Sequence, residues 1–269
     1  MLLPHDIDGS GDPPVVLIPG ANGHRRWMSP LAREFAAVRH TLSVTLPGEP
    51  EAPGRGPDPR DAPLDEIVAR LVEILDARRL ARPVICGTSF GGIAALSLAL
   101  AHPKRVAALV LHATTARPAW RLRSYRAVTP YPLLAVLVFN AVLLPRLPAE
   151  FRASLPDRRR RWQFYREILD LRRSIPFSAA SFGRRLRLLA GIDLTPELAR
   201  VQAPTLVLSG EAGLDPIVGP EEGEWITAHA PPARHEIVPR TGHLAILARP
   251  DLLVDRAERF LSTCGLNGG

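Results

Sequence analysis

Apolar residues recur along this chain in two rhythms. Six short runs, at 15–18, 41–46, 84–86, 106–112, 205–209 and 234–238, are rich in β-branched residues and bounded by glycine, proline or polar clusters. They predict strands, and most are apolar enough for a sheet covered on both faces. Between them the period lengthens. In "DEIVARLVEILDARR" (65–79), Ile67, Leu71, Ile74 and Leu75 fall on one face at spacings of three and four, which predicts an amphipathic helix. Residues 89–101 are apolar nearly all round, as a buried helix would be. Residues 250–262 predict a closing helix that starts near Pro250 and turns Leu252, Leu253, Ala257 and Phe260 inward. Strand alternating with helix predicts an α/β fold around a mostly parallel sheet.

The alternation fails between residues 115 and 198. No strand pattern is found there, only helical patterns broken by prolines, so the chain divides into a core of 1–114 and 199–269 and a helical insertion at 115–198. One piece of the insertion is apolar over about 12 residues between Pro132 and Pro145, too short to span a bilayer. Another, 157–174, sets Trp162, Tyr165 and Leu169 along one helical face among arginines. The proline-rich stretch 47–63 is expected to be a loop.

Charge changes this picture in one place. The net charge of +7 is concentrated between residues 116 and 190, where 16 arginines face four acids. Lys104 is the one lysine of the chain, so the arginines are read either as a compositional habit or as a patch for something anionic. No nucleic-acid motif accompanies them, and nucleic-acid binding is not expected. Two cysteines, Cys86 and Cys264, make no disulfide framework or metal-ligand spacing. The first residues lack the pattern of a secretory signal, and the protein is expected to be cytoplasmic, without a transmembrane segment.

The chemistry is concentrated in "VICGTSFGGIAAL" (84–96), where Gly87, Gly91 and Gly92 crowd around Ser89 and Phe90. A G-x-S-x-G turn between a strand and a helix lifts a serine Oγ clear of the sheet and points a helix N-terminus at whatever bonds there. The pattern resembles the nucleophile elbow of the α/β-hydrolase fold superfamily, with its mostly parallel central sheet, helices on both faces and a helical lid; 115–198 lies where such a lid is inserted. The resemblance covers nearly the whole chain and implies that the opening antiparallel strands are shortened or partly lost.

It also implies a triad in the order Ser89, Asp215, His243. A serine hydroxyl needs a base, and His243, in "PRTGHLAILARP", follows the last strand as the family's base does. Asp215 stands at the acid position, with Glu211 as the alternative; no acid follows the earlier strand, which reads "HATTA". The other seven histidines are expected in solvated, capping or packing roles, His112 among them. The family's oxyanion site implies the backbone N–H groups of Phe90 and Ala21, with Asn22 as a turn former or an extra donor. Pro19 stands where the family usually has a histidine, which removes that support from the oxyanion loop.

A serine at the elbow disfavours the epoxide and haloalkane opening that an aspartate would imply. The expectation is therefore a serine hydrolase, needing neither cofactor nor metal, that cleaves a carboxylic ester or thioester with an apolar acyl group through an acyl-enzyme. The leucine-rich insertion either packs on the core or walls an acyl pocket, and its arginines suit an anionic head such as a carrier-protein thioester, a CoA ester or a lipid surface. The same fold also hosts C–C bond hydrolases, lyases, cofactor-free perhydrolases and low-turnover ligand-binding proteins. The sequence leaves these open, along with the oligomeric state.

Overall fold

A computed structural model describes residues 2–58, 62–118, 127–128 and 130–268. Seven strands form one sheet: β1 (His5–Asp8), β2 (Val15–Ile18), β3 (Thr41–Val44), β4 (Val84–Thr88), β5 (Ala108–His112), β6 (Thr205–Gly210) and β7 (Ala233–Val238). Their spatial order is β1-β3-β2-β4-β5-β6-β7. All neighbours are parallel except β1, which pairs antiparallel with β3, His5 opposite Val44. A single short antiparallel strand thus opens the described fold. The six expected strands are all present, 15–18 with the expected ends and the others with one end moved by one or two residues.

Strand periodicity divides the core in two. Val15, Leu17, Val84 and Cys86 face one layer, which holds Met28, Leu31 and Phe35 around α1 (Ser29–Ala36) and Leu253, Ala257 and Phe260 of the closing helix (Pro250–Thr263). Val16, Ile18 and Ile85 face the other, built on α2 (Leu64–Ala77) and α3 (Phe90–Ala101). The expected face of α2, Ile67, Leu71, Ile74 and Leu75, is fully buried there. With apolar side chains on both sides, each central strand is apolar at successive positions rather than alternate ones.

Between β5 and β6 the described residues form four α-helices and no strand, α4 (Pro132–Leu143), α5 (Leu147–Ser154), α6 (Arg158–Ser174) and α7 (Ala179–Gly191), followed by a 3-10 helix at Thr195–Arg200. Residues 119–126 and 129 of the expected insertion, with Arg121, Arg123 and Arg126, lie outside the described residues, as do 59–61 of the proline-rich loop. α4 packs on α7, with the rings of Phe139 and Phe182 edge-on at 5.2 Å. Its Ala135 is buried while Leu133 and Leu137 are 72% and 66% exposed, so the helix packs by one face only.

On α6 the stripe of Trp162, Tyr165 and Leu169 is turned largely outward. Trp162 is 68% exposed and Leu169 is also exposed, whereas Phe164 is buried with Ile168 and Leu171 packed beside it. The helix carries two apolar stripes, and α5 meets one ring from each: Phe151 lies 4.9 Å from the ring of Phe164 and 5.6 Å from that of Tyr165. Among the described residues no single helix is long and apolar enough to cross a membrane; α4 and α5 meet that test only together, bent by 48°.

Candidate active site

The strand order reverses direction at β2 and β4, and in open α/β sheets the crevice beyond the carboxyl ends of such strands is where ligands bind. Ser89 stands there, between the end of β4 and the first turn of α3, with φ 52° and ψ −120°. That conformation is sparsely populated for a residue with a Cβ, and its neighbours impose it. Ser89 N–H donates to His112 O at 2.9 Å, and Ser89 O accepts from Thr114 Oγ1 at 2.7 Å and from Gly92 N at 2.9 Å. The glycines answer to crowding: a Cβ on Gly87 would lie 2.3 Å from Gly91 O, and one on Gly91 2.2 Å from Ile18 O. The turn is folded onto itself and against the end of β2.

That contact brings the next segment into place. Gly20 follows β2 so closely that a Cβ on it would lie 3.4 Å from Ser89 Cβ. Gly23 N–H donates to Gly20 O at 2.9 Å, closing a tight turn over Ala21 and Asn22. Phe90 buries its ring in the core, leaving its backbone N–H, which is first in α3 and has no intrahelical acceptor.

Asp215 and His243 come from the loops after β6 and β7. Asp215 is buried; its Oδ1 accepts from the N–H groups of Ile217 and Val218, both at 2.8 Å. Its Oδ2 lies 3.0 Å from His243 Nδ1. Nδ1 therefore carries the proton toward the carboxylate, and Nε2 is left as the basic nitrogen. Burial alone would lower the imidazole pKa, but the charge and hydrogen bond of Asp215, aided by Glu150, outweigh it and hold His243 above the ordinary histidine value. Glu211 is placed elsewhere: it is exposed and accepts from Arg240 N–H at 2.8 Å.

Ser89, His243, Ala21 and Asn22 line one cavity of about 330 Å³, a size suited to a small ligand. Its far wall is apolar and comes from the segment between β5 and β6, with Val136, Phe139, Leu143, Leu147 and Phe182 on its helices and Phe177 on the loop before α7; Arg172 also reaches it. The two readings of α4 are thus combined, one face both packing on the core and walling the cavity.

Other groups nearby are quiet. His112 is buried against Thr88 Oγ1 at 3.1 Å, and burial pushes its pKa down to about 3, so it stays neutral. Cys86 is free and buried, its thiol pushed up to about 12. His24 caps the turn at Arg26 but is buried rather than solvated. No cluster of three metal-ligating side chains occurs among the described residues.

Two charged residues that the sequence did not single out complete the surroundings. Glu150 of α5 is fully buried, and its Oε1 accepts from Gly242 N at 3.1 Å and Leu244 N at 2.8 Å, on either side of His243. Arg185 of α7 is buried beneath the 20–23 turn and donates to Ala21 O at 2.9 Å. Glu150 is one of four acids in an arginine-rich segment and Arg185 one of its 16 arginines, and nothing in the sequence separates either from the rest.

Comparison with known proteins agrees with this architecture. Residues 15–256 match the model of the alpha/beta hydrolase family. The pimeloyl-[acyl-carrier protein] methyl ester esterase of Aromatoleum aromaticum is 32% identical over 252 residues, covering 89% of this chain and 94% of that protein. Its namesake from Nitrosomonas europaea is 30% identical over 210 residues, covering 76% and 80%. A thermophilic esterase from Thermogutta terrifontis shares the fold, with a TM-score of 0.76 at 23% identity over 97% of this chain and 93% of that one. The chain belongs to the alpha/beta hydrolase family, among its esterase-type hydrolases.

Proposed function

We propose that Ser89, His243 and Asp215 cleave a carboxylic ester or thioester with an apolar acyl group through an acyl-enzyme. The observation that carries this reading is the Asp215–His243 pair, which leaves Nε2 basic in the same cavity as a serine raised on a strained turn. Ser89 Oγ attacks the acyl carbonyl while Nε2 takes its proton. The oxyanion is met by the N–H groups of Phe90 and Ala21. The imidazolium then returns the proton to the departing alcohol or thiol, and a water molecule repeats the sequence on the acyl-enzyme. No cofactor or metal enters these steps.

Segment 115–198 serves as a lid whose inner face receives the acyl chain, within a core of 1–114 and 199–269. Because the two pimeloyl-[acyl-carrier protein] methyl ester esterases named above act on an acyl-carrier-protein ester, a carrier-linked substrate is part of the proposal. Arg172 at the cavity and the exposed Arg158 and Arg159 supply positive charge for its phosphate and acidic surface. Both cysteines are free, and a cytoplasmic setting goes with this reading.

Two measurements test it. Labelling with a fluorophosphonate should modify Ser89, and kcat/KM should then rise along a series from acetyl to longer acyl esters. Each buried methylene contributes about 0.8 kcal/mol, or about fourfold, until the cavity is full. A series led by acetyl esters would remove the acyl-pocket reading.

A further test is the pH profile. Neutral His243 is the base, so kcat/KM falls as pH drops through its pKa, and the raised value places the midpoint of this acid limb above 6.5. A midpoint below 6.5 would contradict the assignment.

A further inference from the structure

The helices between β5 and β6 send one buried charged side chain to each of two loops that carry the proposed chemistry, those after β2 and β7. Arg185 reaches the loop after β2. One guanidinium nitrogen donates to Ala21 O at 2.9 Å and pairs with Glu49; the other donates to Pro47 O at 2.8 Å. The turn closes down on it, since a Cβ on Gly23 would lie 2.3 Å from Arg185 Nη1. Glu150 reaches the loop after β7 and takes the N–H groups of Gly242 and Leu244, while its Oε2, also buried, meets no partner.

We propose that Arg185 and Glu150 are positioning residues for the ester chemistry, Arg185 fixing the backbone at Ala21 and Glu150 fixing the backbone on both sides of His243. The inference rests on the triad reading above. A backbone donor stabilises a developing oxyanion only if its direction is set beforehand. Position 19, a proline, has no side-chain donor to brace the Ala21 turn, and Arg185 braces it from outside the loop. Its Ala21 O contact and the Gly23-to-Gly20 hydrogen bond hold Ala21 from two directions.

Glu150 adds an electrostatic part. The groups that face it are Asp215, from the loop after β6, and His243, with His112 behind them. Burial, with Asp215 adding, pushes its carboxyl up to about 7, against the pull of the two N–H groups and His243. In its ionised form it favours the His243 imidazolium. Two helices outside the sheet thereby hold both halves of the machinery in register.

The test is steady-state kinetics with pH profiles and thermal melting on three variants. Arg185→Met combined with Glu49→Gln removes a buried pair without leaving a lone charge. It is expected to lower kcat by about 10²-fold with KM little changed, and Arg185→Lys, which keeps the charge and fewer donors, should fall between it and wild type. Glu150→Gln keeps the acceptor but loses the charge, so the acid limb of kcat/KM should move to lower pH. Variants that melt earlier yet keep wild-type kcat, KM and acid limb would reduce both residues to structural packing and overturn the inference alone. Wild type without Ser89-dependent hydrolysis would overturn the triad reading and this one with it.

Discussion

Ser89→Ala is expected to lower kcat for ester hydrolysis by about 10⁴- to 10⁶-fold. The fold should be untouched, because what holds Ser89 in its turn is backbone: its N–H on His112 O and its carbonyl under Thr114 and Gly92. Cys86, three residues earlier, is buried with its thiol pushed up to about 12, too high to supply thiolate near neutral pH. His243→Ala should cost a similar factor, and the double variant little more, since nucleophile and base act as a unit. Activity within tenfold of wild type in Ser89→Ala, with circular dichroism confirming a native fold, would refute the mechanism.

Asp215→Asn should cost about 10⁴-fold in kcat at little expense in stability. The asparagine oxygen can take the place of Oδ1 under the Ile217 and Val218 N–H groups, which turns its amide nitrogen toward His243. An NH₂ facing Nδ1 needs that nitrogen as an acceptor, so the ring proton moves to Nε2 and the base confronts the serine in the wrong tautomer. The proton inventory of the ring, read by its ¹⁵N shifts, should change along with the rate. A variant that keeps its activity would shift the acid's role to another carboxylate.

What the sequence made legible follows the range of the forces involved. The strands at 15–18 and 84–86 are visible because burial on both faces leaves an unbroken apolar run. The elbow is visible because one tight turn gathers serine and glycines within five residues. Asp215 was separable from Glu211 only through the family resemblance, and the structure brings Asp215, not Glu211, to His243.

Long-range polar contacts left no such trace. Arg185 and Glu49 are 136 residues apart, and Glu150 and Leu244 are 94 apart, so neither pair imprints a period. On α6, Trp162–Tyr165–Leu169 and Phe164–Ile168–Leu171 are equally helical stripes, and nothing in the period says that Phe164 is the residue buried.

The ends of the sheet bear on how such a chain stays dispersed. β2, β4 and β5 are almost wholly apolar, and a row of such strands with open borders would recruit further chains by main-chain pairing. The borders are built differently. β1 carries His5, Asp6 and Asp8, and β7 carries Arg234, His235 and Glu236. A second molecule docking strand to strand would have to desolvate those charges, so the apolar interior is screened from aggregation at both margins.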